Sequence, residues 1–202
     1  PFVCIDAMIG SIISFGSLGW NHAVTCTGRN ISYRKHLFDE IHGFSGIEHI
    51  LSGDDDLLMM KASKKTNWKI RFMPNSKAII TSSAPTGWLH FINQRKRHIS
   101  TSKYFPPFVI IGFSLFFLSK LFMLLYLFIS LIMNIDVIFP LILIIFTYLI
   151  TFLLLMIIGY KTGQVRLLIL YPLWEIYYLL GNILLGPLGL FGHITWGSRK
   201  AS

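Results

Sequence analysis

The chain of 202 residues has a formal net charge of +9, yet only 13% of its residues are charged and 53% are hydrophobic. Ordinary soluble domains carry about 25% charged residues, so this composition excludes a wholly soluble chain of the usual kind. The two cysteines, Cys4 and Cys26, are too few for a disulfide framework and lack the spacing of a metal site.

The charged residues are concentrated in the first half of the chain. Thirteen of the 18 Lys and Arg residues and seven of the nine Asp and Glu residues precede Tyr104. We therefore expect a polar, basic domain at 1–103 and a membrane domain at 104–202. The chain begins at Pro1 without a targeting segment, so we expect it to be part of a longer protein.

The first half predicts a mixed α/β fold. The apolar start, PFVCIDAMIGSIISFGSLGW, contains Asp6 and several glycines and is not interpreted as a membrane span. Helices are predicted at HLFDEIHGF, ending at Gly43, at DDDLLMMKASKK, and at TGWLHFINQRKRHIS, with Thr86 as a candidate N-cap. The segments WKIRFM and KAIITS alternate and contain β-branched residues, which is typical of strands.

The second half contains three hydrophobic segments, and a bilayer crossing needs roughly 20 apolar residues. The first, about 108–133, is interrupted by Lys120, so the part before this lysine could instead lie along the interface. The second, about 137–159, carries no charge and predicts a span. The third, about 167–190, contains Glu175 and two prolines and fits a broken span, a re-entrant element or an interfacial helix.

Loop charge predicts the orientation of these segments. The loop KTGQVR, at 161–166, is basic, whereas the turn NID between the first two spans is not. Basic loops favour the cytoplasmic side, so we expect the loop and the polar first half to be cytoplasmic. The basic SRK near the end prefers the same side, which argues against a complete third crossing.

Three consecutive aspartates, Asp54 to Asp56, allow several interpretations. Asp54 would cap the following helix while the next two carboxylates oppose its dipole. A GDD turn of a nucleic-acid polymerase is a second interpretation, but that turn belongs to a hairpin, whereas a helical pattern follows here. The third is a general base that takes a proton from a bound hydroxyl.

A second polar cluster lies further along the chain, in QRKRHIS. On a helix Gln94, Arg97 and His98 share one face, and this combination suits a phosphate next to a sugar or a base. For Arg95 and Lys96 we favour contact with anionic lipid headgroups.

The motifs CTGRNISYRK, GDDDLL and QRKRH, in this order and followed by membrane helices, resemble the second half of the membrane-bound family 2 glycosyltransferases. Relatives in that family include the cellulose, chitin and hyaluronan synthases and the ceramide glucosyltransferases. The resemblance covers Pro1 to about Ser102 by motif and the rest by hydropathy, and ITWGSRK resembles the family's tail. It implies the C-terminal part of a GT-A-like α/β domain followed by transmembrane helices.

The resemblance also implies a mechanism, in which a base deprotonates the acceptor hydroxyl and the sugar leaves its nucleoside diphosphate with inversion. Asp55 corresponds to that base, and an alternative register would give Asp54. Gln94 and Arg97 match the QxxRW pattern, with Arg97 facing the departing diphosphate. His98 stands where the family more often has tryptophan. Gly28 and Asn30 match the loop near the acceptor.

The family's nucleotide-binding strands and its DxD motif, which holds Mg²⁺ or Mn²⁺, precede the matched region. The resemblance therefore implies a hexosyltransferase-type enzyme of the cell membrane whose fragment alone is inactive, with the metal bound mainly outside this chain and none of its ligands among the residues assigned here. The expected partners are a nucleotide-diphosphate sugar, a glycan or lipid acceptor and the bilayer, not nucleic acid. The alternatives are a non-catalytic membrane adaptor and a transporter fragment.

Overall fold

The computed structural model describes residues 2–50, 52–73, 75–80, 82–83 and 87–192, together with the backbone of 194–196 and 199–201. Helices dominate these residues. They are α1 (Phe2–Gly19), α2 (Lys35–Glu40), α3 (Asp54–Lys65), α4 (Trp88–Thr101), α5 (Pro107–Met133), α6 (Ile138–Thr162) and α7 (Tyr171–Phe191). Within the described ranges the only sheet is a hairpin that pairs β1 (Ile194–Trp196) antiparallel with β2 (Arg199–Ala201).

The predicted α/β class, and with it the GT-A-like domain, is wrong for this structure. The predicted strand at 68–73 has no regular secondary structure, and the 3₁₀ turn Ser76–Ala78 overlaps the start of the second predicted strand, at 77–82. A strand is stable only when a neighbouring strand pairs with its backbone N–H and C=O groups. No described segment pairs with either one.

The predicted helices of the polar half form, with different ends. The first stops at Glu40, three residues before Gly43, which still adopts a left-handed φ of 49°. The N-cap of α3 is Gly53, so Asp54 is the first helical residue and not the cap. The helix α4 begins after Gly87, and the predicted cap Thr86 lies outside the described residues.

Four described helical segments are long and apolar enough to cross a bilayer: 2–19, 107–133, 138–162 and 165–191. The chain is therefore a multi-pass membrane protein by the length and composition of its helices. The first of these segments was not expected, because we interpreted Asp6 and the glycines as interruptions. They do not break α1, since a single glycine costs a helix only about 1 kcal/mol and Asp6 has internal partners.

The segment 165–191 returns to the side from which it starts. A 3₁₀ turn at Val165–Leu170 leads to Tyr171, whose ring lies 4.7 Å from that of Tyr148, near the middle of α6. Further along α7, Tyr178 contacts Phe116 in the first half of α5. At its far end Gly189 touches Ile99 of α4. Of the three interpretations left open by the sequence, these contacts favour the re-entrant element.

The charges inside the membrane half neutralise each other. Lys120 donates to both carboxylate oxygens of Glu175, at 2.8 and 2.9 Å, and the Tyr171 hydroxyl donates to the same carboxylate. The lysine therefore does not interrupt α5, which is one continuous helix. Nor does the first part of α5 form a separate interfacial element.

The largest buried cluster joins α1, α6 and α7. Its members are Ile5, Met8, Leu155, Ile158, Leu168, Tyr171 and Trp174. At its centre Ile5, Leu155 and Tyr171 have no exposed surface. This cluster fixes α1 against the membrane helices, and α1 in turn reaches the polar region through Ser14, whose hydroxyl donates to the carbonyl of Thr25 at 2.6 Å.

Candidate active site

The acidic turn at the start of α3 is held by the loop that carries Gly28. The backbone N–H of Gly28 donates to Asp55 Oδ2 at 2.5 Å, and the N–H of Cys26 donates to Asp56 Oδ1 at 2.7 Å. A Cβ added at Gly28 would lie 3.1 Å from the Cβ of Asp55, so glycine permits this close approach. Two of the three neighbouring carboxylates are thereby fixed by backbone donors.

The three aspartates differ in their environments. Asp54 is exposed, while Asp55 and Asp56 are partly buried. Burial raises the pKa of Asp56 to about 6, assisted by the charge of Asp55 and opposed by the hydrogen bond from Cys26 N–H. The same burial and the neighbouring carboxylates raise the pKa of the Cys26 thiol. Asp56 is therefore an internal anchor, and Asp54 and Asp55 are the two carboxylates considered for the candidate site.

The helix α4 brings a guanidinium to these carboxylates. Burial lowers the pKa of Arg97, and the negative charges of Asp54 and Asp55 act in the opposite direction. Such an electrostatic effect requires that the groups lie within several ångströms of one another. Thr101, one turn after Arg97 on the same face of α4, lies against Gly53 at the start of α3, so the acidic turn and this face of α4 are neighbours in the structure.

His98 lies in the same cluster and is neutral at physiological pH. Burial of the ring, followed by the positive charges of Arg95 and Arg97, lowers the pKa of His98 to about 4, against a smaller opposing effect of Asp55. The residue still keeps an exposed surface. A neutral imidazole offers one N–H donor and one acceptor nitrogen.

Gln94 lies three residues before Arg97 on α4, and Asn30 lies two residues after Gly28 in the loop. The side-chain oxygen of Gln94 is buried and accepts no hydrogen bond from the described residues. The amide of Asn30 donates to the carbonyl of Ala78 at 2.8 Å, which ties its loop to the segment after α3. Asn30 is thus a loop anchor in this structure, whereas Gln94 has an acceptor atom available.

The carboxylates of the turn are already engaged by the backbone. Asp55 and Asp56 each accept a backbone N–H, and no group of three or more His, Cys, Asp or Glu side chains in the described ranges is arranged to hold an ion.

The family model described as glycosyl transferase family group 2 matches residues 2–161. This chain belongs to that family. No curated protein and no solved structure matches it. The match runs through the acidic turn, α4, α5 and nearly all of α6, so it assigns a glycosyl transfer function to a chain whose helices are those of a membrane protein.

One prediction about α4 of this glycosyltransferase is wrong. We expected Arg95 to contact lipid headgroups, but its guanidinium lies 2.8 Å from the carboxylate of Asp6 on α1. Both side chains are largely buried, with 20% and 18% of their surface exposed. The residue that sequence reasoning missed is Asp6, and the available signal was a lone carboxylate in an apolar helix, which requires a partner.

Arg29 is a second residue near the candidate site that sequence reasoning missed. Its guanidinium donates to the hydroxyl of Ser82, and its positive charge lowers the pKa values of Arg97 and His98. The signal was its position between Gly28 and Asn30, both of which matched the family loop. Arg29 directly follows Gly28, whose N–H holds Asp55, so the backbone of Arg29 lies beside the acidic turn.

The contact between α3 and α4 depends on Gly53. Its φ of 77° is left-handed, and a Cβ at this position would overlap the methyl group of Thr101 at the end of α4. Gly46 has a similar φ of 87° but no atom within 4 Å of an added Cβ. Alanine at Gly46 would add backbone strain alone, whereas alanine at Gly53 would add the same strain and also push α4 away.

We expect Gly53→Ala to destabilise the glycosyltransferase more than Gly46→Ala. Backbone strain alone costs about 1–2 kcal/mol in either variant, whereas the overlap adds about 1–3 kcal/mol at Gly53 only. Thermal unfolding of the detergent-solubilised protein measures both. Gly46→Ala should lower Tm by about 2–8 °C and Gly53→Ala by clearly more. Equal shifts would show that α3 and α4 do not pack as described.

Proposed function

We propose that this protein is an inverting, hexosyltransferase-type enzyme that moves a sugar from a nucleotide-diphosphate donor to a glycan or lipid acceptor at the cytoplasmic face of the cell membrane. The observation that supports the proposal is the contact between Gly53, which precedes Asp54 and Asp55, and Thr101, one turn after Arg97 on α4. An acid–base group next to a guanidinium is what transfer of a sugar between two oxygens requires.

Asp55 is the proposed base. Its Oδ2 accepts the Gly28 N–H, which orients the carboxylate and leaves its other oxygen for the acceptor hydroxyl. The acceptor oxygen loses its proton to Asp55 and bonds to the anomeric carbon as the bond to the diphosphate oxygen breaks. Asp54, which is more exposed, is the alternative base.

Arg97 is proposed to stabilise the charge that develops on the diphosphate as it leaves. Its planar guanidinium can donate two parallel hydrogen bonds to phosphate oxygens. Gln94 offers a buried amide oxygen to a sugar or ribose hydroxyl. The neutral ring of His98 would cover one sugar face, and the loop with Gly28 and Asn30 would border the acceptor.

A divalent cation on the diphosphate is implied by the family, and the described residues contain no group of three or more His, Cys, Asp or Glu side chains arranged to hold one. The steps proposed for this chain therefore use protein groups alone. The nucleotide and any Mg²⁺ or Mn²⁺ would be bound mainly by residues other than those assigned here.

The loop charge and the path of the chain support the proposed cytoplasmic position of the site. Helices α5 and α6 run out and back, so the loop at 161–166 lies on the same side as α4. That loop contains Lys161 and Arg166, and basic loops favour the cytoplasm. The closed pair between Lys120 and Glu175 offers no open ion path, which counts against a transporter.

The test is a transfer assay with membranes that contain the protein at its natural length. A panel of labelled nucleoside diphosphate sugars is offered, and label in lipid or polymer is measured together with the released nucleoside diphosphate. We expect one donor to be used, with inversion at the anomeric carbon seen by NMR. Absence of transfer from every donor, relative to membranes that lack the protein, would contradict the proposal.

A further inference from the structure

The carboxylate of Asp6 connects three helices at one point. It lies 2.8 Å from the guanidinium of Arg95 on α4, and it accepts hydrogen bonds from Trp174 Nε1 at 2.8 Å and the Tyr177 hydroxyl at 3.4 Å on α7. Each donor is a side chain with a polar tip on an apolar body. Asp6 is thus the centre of a polar cluster in an otherwise apolar interface.

The base of this cluster is rigid. Ile5, next to Asp6 in the chain, has no exposed surface, and Met8 packs where Gly159 allows α1 to approach α6. Trp174, one of the donors, is itself 1% exposed. Because α1 cannot shift without disturbing this core, Asp6 presents its carboxylate from a fixed position.

Arg95 links Asp6 to the orientation of α4, and therefore to the face of α4 that carries Gln94 and Arg97. It lies one residue after Gln94 and two residues before Arg97, and each step along an α-helix turns the side chain by about 100°. A constraint on Arg95 therefore sets the rotation of Gln94 and Arg97 about the helix axis. One turn further along the same face, Gly189 of α7 approaches Ile99, where a Cβ would lie 2.6 Å from the Ile99 Cβ, so α4 cannot move towards α7.

We propose that Asp6 is a positioning residue for the transfer reaction, acting through Arg95 to hold the Arg97 face of α4 against the acidic turn. The inference rests on the proposed function for its kinetic readout only. According to this proposal, α1 supports the active site, a role that the sequence did not suggest. Asp6 itself does not touch the substrate.

The membrane half contains a matched control. Glu175 is also a largely buried carboxylate on an apolar helix, 16% exposed against 18% for Asp6, and it also pairs with a cation at 2.8 Å. Its partner Lys120 belongs to α5 and not to α4. A general loss of stability from a broken ion pair affects both variants, whereas a loss of positioning affects only Asp6.

The experiment compares Asp6→Asn, Asp6→Glu and Glu175→Gln in the natural-length protein, at equal amounts of folded, membrane-inserted protein. Since a misplacement of about 1 Å can cost up to 10²-fold in rate, we expect Asp6→Asn to lower kcat about 10- to 100-fold with the donor KM nearly unchanged. Asp6→Glu keeps the charge and should recover most of the loss. Glu175→Gln should keep kcat within about threefold.

A second readout does not depend on activity. Spin labels at Lys64→Cys on α3 and Leu89→Cys on α4, both exposed positions, report the distance between the two helices once Cys4 and Cys26 are replaced by alanine. We expect Asp6→Asn to shift or broaden the distance distribution and Glu175→Gln to leave it unchanged.

The two readouts separate the two claims. If the parent protein transfers no sugar, the proposed function fails and the distance measurement alone decides the positioning role. An unchanged distance distribution in Asp6→Asn overturns the inference. So does a parent-like kcat in Asp6→Asn, or an equal loss of kcat in Glu175→Gln.

Discussion

Asp55→Asn is expected to lower kcat for sugar transfer by about 10²- to 10⁴-fold, the usual contribution of a general base. Asparagine keeps the size of the side chain and can still accept the Gly28 N–H through its amide oxygen, so the turn should keep its shape. The variant should therefore insert into membranes like the parent. Initial rates with the preferred donor, normalised to folded protein, give the measurement.

Asp54→Asn is the matched control, because it removes an adjacent charge from the same turn. Asp54 has more exposed surface than Asp55, and we expect its loss to lower kcat by less than about tenfold. A larger loss in Asp54→Asn than in Asp55→Asn would assign the base to Asp54. Parent-like transfer by Asp55→Asn would show that this carboxylate is not the base.

Arg97→Ala should lower kcat by about 10²- to 10³-fold, because a fixed donor to the developing charge is removed. Binding of the intact donor depends less on this group than the transition state does, so the donor KM should change less than kcat. Steady-state kinetics over a range of donor concentrations separates the two parameters. Equal effects on ground state and transition state would appear as a raised KM with an unchanged kcat, which would contradict the assigned role.

Two further variants in α4 test the specificity of that effect. Arg97→Lys keeps the charge but loses the planar fork, so it should recover only part of the rate. Lys96→Gln removes a neighbouring positive charge from the same helix and should leave kcat within about threefold. A loss in Lys96→Gln as large as that in Arg97→Ala would mean that the net charge of α4 matters, and not the position of Arg97.

Local patterns in the sequence predicted the helices well. The acidic start and basic end of α3 and the long apolar runs of α5 and α6 each determine a helix through neighbouring residues alone. The left-handed turn at Gly43 was likewise predictable, although α2 ends earlier. These features need no knowledge of distant parts of the chain.

Local sequence pattern alone could not show whether the predicted strands form, because a strand depends on a partner elsewhere in the chain. Residues 68–73 alternate as a strand does, yet no described segment pairs with them. The path of α7 could not be predicted for the same reason, because it depends on contacts with distant residues. Its length permits a crossing, and only its contacts with Lys120, Tyr148 and Ile99 reveal a return.

The sequence predicted the residues of the candidate site, but not the residues that hold them in place. Motif order brought Asp55, Arg97 and His98 under consideration together, and the structure places them within electrostatic reach of one another. The roles assigned to them remain predictions. The ion pair between Asp6 and Arg95 joins residues from opposite ends of the polar half, and nothing in either local stretch specifies the other.

The central claim is that the acidic turn and α4 form one catalytic site, and a double-mutant cycle tests it most directly. The measurement is kcat/KM for the parent, Asp55→Asn, Arg97→Ala and the double variant. Residues that act together on one transition state are strongly non-additive. We predict that the double variant loses far less than the product of the single losses. Losses that multiply would show two independent contributions and would contradict a shared site.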